Sequence, residues 1–543
     1  MWEKLPDNQK NEYKRMILAF ASLTEVFAQK AENDEEAETN GPIINSKFQE
    51  TVFQKAFNAS AEDIGNTSYD AAIRLIISPT QEIKYLIGIK TFGINSGDQK
   101  VAQFKANHNE WSELINTIEN NSKLAKNDKD AIDRLNKDLY KQLAVNIATL
   151  RNMRISSSQS NLKGFKIKDE DNNVQAVYHV LMPSAKGEEP QIFVGETSYD
   201  KINIDNINVL GCTGSRTPTN FKFTDGNHEY KFTPADSQLY MNFHNKEIVK
   251  EKWHVIYLDN PYEIFSDIAD KLEGKTSKTQ ITEDVIKQIK TTPIIESSKC
   301  WLLTNKYNEV EPFSGFNLFY GVGSKMGQDQ RKKVIEKLKE KYINLNNKII
   351  NEVISGIEIF LNNPAPTYDE KLKKKDFRDL LISKIKQIDN PVFTEDTIKL
   401  LFRNNKEVYI PIPDSKNFHN NNPKFFVDIE KELFDQDTGT LLVSENERTF
   451  DLVFEPSGEK VKTHITQDYG KGIATKDDQG ILGNWILRDI FQLNEYEPLT
   501  TKRLNEIGLN GIRLYKIKND SSVHIQFIWI DQDDLPADFI KKS

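Results

Sequence analysis

Hydrophobic spacing near the start of the chain predicts a helix followed by a β-hairpin and a second helix. Between residues 47 and 57 the apolar residues recur every three to four positions, which is typical of a helix. Two apolar, β-branched runs follow at residues 69–77 and 85–90, and Ser78-Pro79-Thr80 lies between them as a turn. Residues 98–118 return to helical spacing.

The flanking regions predict simpler elements. The first forty residues carry one amphipathic helical pattern, and the acidic run from Glu32 to Glu38 is expected to form a solvated loop. Residues 130–154 predict another amphipathic helix. Residues 163–243 are rich in short alternating runs typical of strands, and Asp225-Gly226-Asn227 predicts a hairpin turn.

The second half of the chain changes character twice. Residues 325–361 and 370–388 are helical and rich in lysine, whereas from about residue 408 to 530 short strands alternate with turns. Such helices either follow a nucleic-acid backbone or are ordinary solvated faces. The predicted units are residues 1–42 (N-terminal helix and acidic loop), 43–300 (α/β unit with a strand-rich extension), 301–395 (basic helical connector) and 396–543 (C-terminal β-domain).

Composition narrows the class of protein. A chain of 543 residues exceeds one compact core. Its two cysteines, Cys212 and Cys300, exclude a disulfide framework and fit a reducing compartment. No stretch approaches the roughly 20 apolar residues of a membrane span, and the N-terminal residues lack a secretory pattern. We therefore expect a cytoplasmic protein without membrane contact. The net charge of −9 decides nothing about nucleic acid, because it averages over faces.

The helix–hairpin–helix unit carries the first candidate chemistry. It places Glu50 on a helix, Asp70 at the start of one strand and Lys90 at the end of its partner. Hydrolysis of a phosphodiester uses a divalent metal, and Mg²⁺ prefers carboxylate and carbonyl oxygens. A charge at the end of an apolar strand needs a partner. From the residues alone, Asp70 and Lys90 form either a structural salt bridge or an active site.

These segments resemble the PD-(D/E)xK nuclease core of restriction endonucleases. Ser68-Tyr69-Asp70-Ala71 resembles the segment with the aspartate of that fold, and Gly88-Ile89-Lys90-Thr91-Phe92 resembles its (D/E)-x-K segment. The KVAQF sequence of residues 100–104 resembles the helix behind it. The resemblance implies that Asp70 and the backbone carbonyl of Ile89 hold Mg²⁺, and that Lys90 positions or activates the attacking water.

One departure from this pattern leaves undecided which residue supplies the second carboxylate. Gly88 stands where the family has an aspartate or glutamate, so a carboxylate has to come from elsewhere or the metal chemistry differs. Glu50 is the first candidate for this metal ligand, and Glu82 is the second. Gln103 is expected to add a polar contact from the following helix.

The C-terminal region carries four ordered motifs, at residues 409–416, 450–458, 464–472 and 480–486. Their order resembles the B3-like DNA-recognition domain of the NgoFVII-type restriction endonucleases. It implies a small open β-barrel that places two loop arms, at residues 415–419 and around 464–476, in the major groove. Amide and basic side chains on these arms can contact bases or phosphates. The candidates are Lys416, His419, Asn420, Gln467 and Lys471.

A further candidate lies between the two regions. Arg216 is surrounded by small polar residues, which suits a DNA contact from a loop and equally a plain turn. The expected fold is α/β (α+β), with a PD-(D/E)xK nuclease-like mixed sheet and flanking helices, a helical connector and a C-terminal B3-like β-barrel domain.

The resemblance implies a type II restriction endonuclease that hydrolyses double-stranded DNA with Mg²⁺. Such enzymes usually act as homodimers, with a cognate DNA methyltransferase as functional partner. Two alternatives stay open. One is a DNA-binding specificity or sensor protein with an inactive nuclease fold, which the missing acid at Gly88 favours. The other is a modification-dependent endonuclease.

Overall fold

The protein is a mixed α/β structure with three sheets. The computed structural model describes residues 1–24, 40–61, 69–78, 81–126, 128–165, 174–258, 260, 262–272, 295–317, 326–343, 348–403, 407–476 and 479–541. The predicted acidic loop at residues 32–38, Ser68 and the turn residues Pro79 and Thr80 lie outside these ranges. The mixed α/β class is confirmed. Within the described residues none of the sheets closes into a barrel, so the B3-like barrel stays a prediction.

The elements are numbered in chain order. The strands are β1 (Ser60–Ala61), β2 (Ala71–Ser78), β3 (Gln81–Thr91), β4 (Gln99–Gln103), β5 (Val174–Pro183), β6 (Gln191–Ser198), β7 (Asn208–Cys212), β8 (Phe221–Thr224), β9 (Glu229–Thr233), β10 (Gln238–Met241), β11 (Val249–His254), β12 (Ile295–Leu302), β13 (Ile410–Pro411), β14 (Thr449–Phe454), β15 (Glu459–Thr466), β16 (Gly472–Thr475), β17 (Gly511–Ile517) and β18 (Val523–Ile528). The helices are α1 (Asp7–Ala21), α2 (Ser46–Phe57), α3 (Ser112–Leu124), α4 (Lys129–Lys163), α5 (Tyr262–Leu272), α6 (Gln328–Tyr342), α7 (Lys348–Asn362), α8 (Tyr368–Ile385), α9 (Pro391–Leu401), α10 (Ser415–Asn421), α11 (Gln479–Asn484) and α12 (Thr501–Ile507).

The first sheet has the strand order β1-β2-β3-β5-β6-β11. Strands β2 and β3 pair antiparallel, which confirms the predicted hairpin, whereas β3 and β5 pair parallel. Alternating side chains divide this sheet into two apolar faces. One face packs under α1 and α2, through residues such as Tyr13 and Phe53. The opposite face packs against α4 and the second sheet, through residues such as Leu86 and Ile147.

Helix α2 confirms the helix predicted at residues 47–57. It begins after Asn45, whose side chain accepts the backbone N–H of Phe48 at 3.0 Å, and it ends at Asn58 in a left-handed conformation. In the N-terminal region, α1 covers Asp7–Ala21 only, and residues 25–39 lie outside the described part of the chain.

The second sheet is antiparallel, with the order β4-β10-β9-β8-β7. The predicted turn at Asp225-Gly226-Asn227 is confirmed between β8 and β9, where Gly226 has φ +90°. The helix predicted over residues 98–118 is wrong in its first part: residues 99–103 form β4, and α3 starts at Ser112. Pairing of β4 with β10 overrides the helical spacing of this segment.

The third sheet lies in the C-terminal half, with the order β12-β17-β18-β14-β15-β16-β13. Strand β12 pairs with β17 across the predicted boundary at residue 300. The basic region predicted at residues 325–361 contains two helices, α6 and α7, and α8 follows it. In the described residues no helix is both long and apolar enough to cross a bilayer.

Helix α4 joins the two halves of the protein. It confirms the predicted helix at residues 130–154 but runs for 35 residues, so that its last turns reach the C-terminal region. The indole N–H of Trp485 donates to the carbonyl of Ser160 at 2.8 Å. The buried ammonium of Lys84, on β3, donates to the carbonyls of Leu162 and Lys163 at 3.1 and 3.2 Å. The hairpin is thereby anchored to the same helix as the C-terminal region.

Candidate functional site

Asp70 and Lys90 meet at the end of the β2–β3 hairpin. Asp70 precedes β2, and its backbone N–H donates to the carbonyl of Ile87 at 2.9 Å. Its Oδ2 accepts the backbone N–H of Ile89 at 2.6 Å and lies 3.4 Å from Nζ of Lys90. Because a backbone group and a lysine hold the same carboxylate oxygen, the position of Asp70 is well defined.

The Asp70–Lys90 pair is open to solvent. The side chains of Asp70 and Lys90 are 33% and 29% exposed. The second carboxylate oxygen, Oδ1 of Asp70, accepts no hydrogen bond from the described residues. A cation, or a ligand that donates a hydrogen bond, can therefore approach this oxygen from solution.

Gly88 lies between the two charged residues on the same face of the sheet. Side chains alternate along β3, so Leu86, Gly88 and Lys90 share the face that packs against α4. A Cβ atom at Gly88 would lie 2.7 Å from Cδ1 of Tyr178 on β5. The Tyr178 ring is fully buried and stacks on Tyr199 with 4.0 Å between centroids. The place where the resemblance expects the second acid is therefore filled by an aromatic ring.

Glu50 lies on the helix that covers the other face of the first sheet. Helix α2 packs on the opposite face of the sheet, and the carboxylate of Glu50 accepts the Lys47 ammonium at 2.9 Å on the same helix. Glu82, the second candidate, pairs with Ile76 at the far end of the hairpin. It lies eight residues from Lys90 along β3, which is roughly 26 Å in an extended strand. Glu82 is therefore too far away to supply the expected second carboxylate, whereas for Glu50 this role stays a prediction.

The two remaining predicted site residues, Ile89 and Gln103, lie in different sheets. Ile89 adjoins the site and its backbone N–H is bonded to Asp70, although its side chain is buried under α2. Gln103 does not follow the hairpin on a helix but ends β4 in the second sheet. Its side chain donates to the carbonyl of Asp236 at 3.2 Å and accepts from Lys100 at 3.2 Å. The predicted contact of Gln103 with the site is therefore not seen.

A buried glutamine next to the site escaped the sequence reasoning. Gln49, fully buried on α2, accepts a hydrogen bond from the hydroxyl of Thr91, the residue after Lys90. Its Nε2 has no hydrogen-bond partner among the described residues. The signal was present in the sequence, because Gln49 precedes Val52 and Phe53 by three and four positions and so shares their apolar face.

The expected magnesium site offers one uncommitted carboxylate oxygen among the described residues, Oδ1 of Asp70. No group of three His, Cys, Asp or Glu side chains in the described ranges is arranged to hold a metal. Mg²⁺, however, keeps several waters and is often held by one or two carboxylates together with substrate phosphates. Oδ1 of Asp70 can supply one such ligand.

The two predicted arms of the C-terminal region lie side by side. Residues 415–421 form the short helix α10 rather than a loop, and a 3₁₀ turn at Asp468–Gly470 packs against it. Lys416 donates to the carbonyl of Gln436 at 2.6 Å and lies 5.3 Å from the ring centroid of Tyr469. The amides of Asn420 and Gln436 exchange two hydrogen bonds of 3.2 and 3.1 Å.

Four of the predicted DNA-contact residues on the two arms are exposed and polar: Lys416, Asn420, Gln467 and Lys471. We call these four residues the arm surface. His419 does not belong to this exposed group, and its role as a DNA contact stays a prediction. Its imidazole is only 6% exposed and donates from Nε2 to the carbonyl of Gly470 at 2.9 Å. Burial lowers the pKa of His419, so this ring is a neutral part of the core.

Arg216 lies apart from the arm surface. It is exposed in the turn between β7 and β8, in the second sheet. No hydrogen bond or ion pair within the described residues joins it to the arm surface.

No protein-family model matches the chain, and no curated protein matches it. The support for a function therefore comes from the geometry of these groups.

Proposed function

We propose that the protein is a Mg²⁺-dependent endonuclease of the type II restriction class that hydrolyses double-stranded DNA at a specific sequence. The observation that carries this proposal is the pairing of Asp70 and Lys90 at 3.4 Å, on one sheet face and open to solvent. A carboxylate with one uncommitted oxygen beside an ammonium suits a phosphate and its counter-ion.

Each residue of the Asp70–Lys90 pair has a distinct role in this proposal. Asp70 would hold the metal through Oδ1, while the Ile89 N–H and Lys90 keep Oδ2 in place. When bound, Mg²⁺ supplies charge neutralisation at the phosphate and acidification of a bound water. The ammonium of Lys90 would orient the attacking water and stabilise the negative charge that develops on the phosphate.

DNA recognition would come from the arm surface. Its amides can read base edges and its lysines can contact phosphates. The proposal includes a PD-(D/E)xK-like core, a B3-like recognition domain and double-stranded DNA as partner. A homodimer would cut both strands, and a cognate methyltransferase would protect the host site.

A DNA-binding protein with an inactive nuclease fold is the second candidate. It is favoured by Gly88, because Tyr178 and Tyr199 occupy the place of the second acid. On this alternative the Asp70–Lys90 pair is a structural salt bridge, and the arm surface alone carries the function.

Digestion of a sequenced plasmid separates these candidates. We expect fragments with defined ends in Mg²⁺ and none in EDTA. The same plasmid, methylated and unmethylated, tests the modification-dependent alternative, which requires cutting of the methylated form only. Sequence-specific binding without any nicking in Mg²⁺, on either substrate, would contradict the endonuclease proposal and support the inactive fold.

A further inference from the structure

The outer face of the second sheet carries three lysines and a tyrosine in one row. Lys222 on β8 lies directly opposite Lys231 on β9. Lys231 lies opposite Tyr240 on β10, and Tyr240 lies opposite Lys100 on β4. Residues directly opposite each other point to the same face of a sheet. The inner face carries the apolar neighbours of these residues, including Phe221, Phe232 and Leu239. We call the four residues of the outer face, Lys222, Lys231, Tyr240 and Lys100, the lysine row.

The lysine row holds more positive charge than its surroundings neutralise. Like charges directly opposite each other on a sheet are unfavourable. Asp98 pairs with both Lys222 and Lys231, at 3.2 and 3.7 Å. Lys100 bonds only the neutral amide of Gln103, at 3.2 Å, among the described residues. Among the described residues, the three ammonium groups therefore have one carboxylate within ion-pair distance, and it contacts two of them.

The charges of the row are accessible to solvent. The side chains of Lys222 and Lys231 are 37% and 27% exposed. The ammonium of Lys231 lies 4.4 Å from the ring centroid of Tyr240, which holds it above the sheet. Four neighbouring strands span about 14 Å at the usual strand spacing. One strand of duplex DNA presents a phosphate about every 3.4 Å along its axis, so a row of this length can face more than one of them.

We propose that the lysine row binds the phosphate backbone of duplex DNA as a contact separate from the arm surface. This inference rests on the proposed function and adds a second, sequence-independent anchor near the cleavage site. Lysines are point charges that suit phosphates without reading bases. Lys90 and Asp98 are eight residues apart, so their Cα atoms lie within about 29 Å of each other. That is less than one turn of duplex DNA, about 34 Å, and a single DNA molecule can reach both.

The salt dependence of DNA binding tests this proposal. Affinity would be measured by fluorescence anisotropy on a 30-base-pair duplex, in EDTA to prevent cutting and across a range of KCl concentrations. The slope of log K against log[salt] is negative, and each lost phosphate contact decreases its magnitude by about 0.9. We expect Lys222→Gln/Lys231→Gln to decrease this magnitude by about 1 to 2. Lys222→Arg/Lys231→Arg keeps the charge and should keep the slope.

A matched control removes two lysines from the opposite side of the first sheet. Lys10 and Lys14 on α1 each pair with an acid, Asp7 at 2.7 Å and Glu251 at 3.3 Å. Lys10→Gln/Lys14→Gln makes the same change in net charge and should leave the slope unchanged.

The possible results separate this inference from the proposed function. A wild-type slope in Lys222→Gln/Lys231→Gln, or an equal decrease in the control, would overturn the role of the lysine row even if the protein still cuts DNA. A wild-type protein that neither binds nor cuts duplex DNA would overturn the proposed function and this inference with it.

Discussion

Gly88→Ala is expected to loosen the strand that carries Lys90, because the space above Gly88 is occupied. The added Cβ would lie 2.7 and 2.8 Å from two ring carbons of Tyr178 and 3.2 Å from the ring of Tyr199. The Tyr178 ring has little room to move. It stacks on Tyr199, and the edge of Phe243 lies against it with 5.0 Å between centroids. An alanine therefore forces β3 and β5 apart.

The size of the effect follows from the cost of overfilling a packed core. Such substitutions destabilise by about 1–3 kcal/mol. Tyr178→Ala removes the obstructing ring and itself costs about 3–5 kcal/mol. In that background Gly88→Ala should be neutral or slightly stabilising, because alanine restricts the unfolded chain more than glycine does. The double-mutant cycle should thus give a coupling free energy of about 1–3 kcal/mol.

Hydrogen exchange measured by mass spectrometry suits a large protein, because it reports the stability of one segment. In a peptide covering β3, Gly88→Ala should speed amide exchange about 5- to 140-fold, which corresponds to 1–3 kcal/mol. Gly93→Ala is a matched control on the next segment, since its Cβ would meet no atom closer than the Ser96 hydroxyl at 3.3 Å. Equal effects of Gly88→Ala in the wild-type and Tyr178→Ala backgrounds would refute the steric explanation for the missing acid.

The other two predictions concern the side of the first sheet that α1 and α2 cover. Glu50→Gln should leave DNA cleavage within about threefold of wild type, because Glu50 is paired with Lys47 on that side. A loss as large as that of an Asp70 variant would place Glu50 in the site after all. Burial, followed by the nearby N-terminal ammonium, lowers the pKa of His179 to about 3. As the pH falls below about 6.5, the unfolded chain binds a proton at His179 before the folded chain does. The urea concentration needed for unfolding should therefore decline from that pH toward 3, and it should decline less steeply in His179→Leu. Identical pH profiles of the two proteins would contradict the lowered pKa of His179.

The hairpin and its two charged residues were predictable because local pattern determines them. Two β-branched runs of suitable length can pair only as neighbours across a short turn, and this places Asp70 near Lys90. The helix α2 was predictable for the same reason. Its spacing shows which residues face a core, but it does not show which side of the sheet the helix covers. For that reason Glu50 was expected beside Asp70.

The positions of Gln103 and His419 in the structure have non-local causes. Strand β4 exists because it pairs with β10, which lies more than a hundred residues further along the chain. Nothing near Gln103 in the sequence indicates that partner. His419 looked like a polar loop residue, yet Phe418, Phe426 and Phe434 surround its ring. Phe418 precedes His419 on α10, whereas Phe426 and Phe434 come from later segments whose packing the pattern does not reveal.

The ring above Gly88 could not be foreseen either. Gly88 in the sequence indicates only that a side chain is missing. The reason lies in the parallel pairing of β3 with β5, which sets Tyr178 beside Gly88 across some ninety residues of chain. Gln49, in contrast, was detectable as a polar residue on an apolar helix face.

The central claim is that Asp70 and Lys90 act in cleavage and not merely in folding. Its most direct test is the single-turnover rate of DNA cleavage by Asp70→Asn and Lys90→Met, at protein concentrations that saturate the DNA. We predict that each variant binds the duplex but cuts it at least about 10²-fold more slowly than wild type. Cleavage at the wild-type rate by either variant, with the DNA fully bound, would contradict the account.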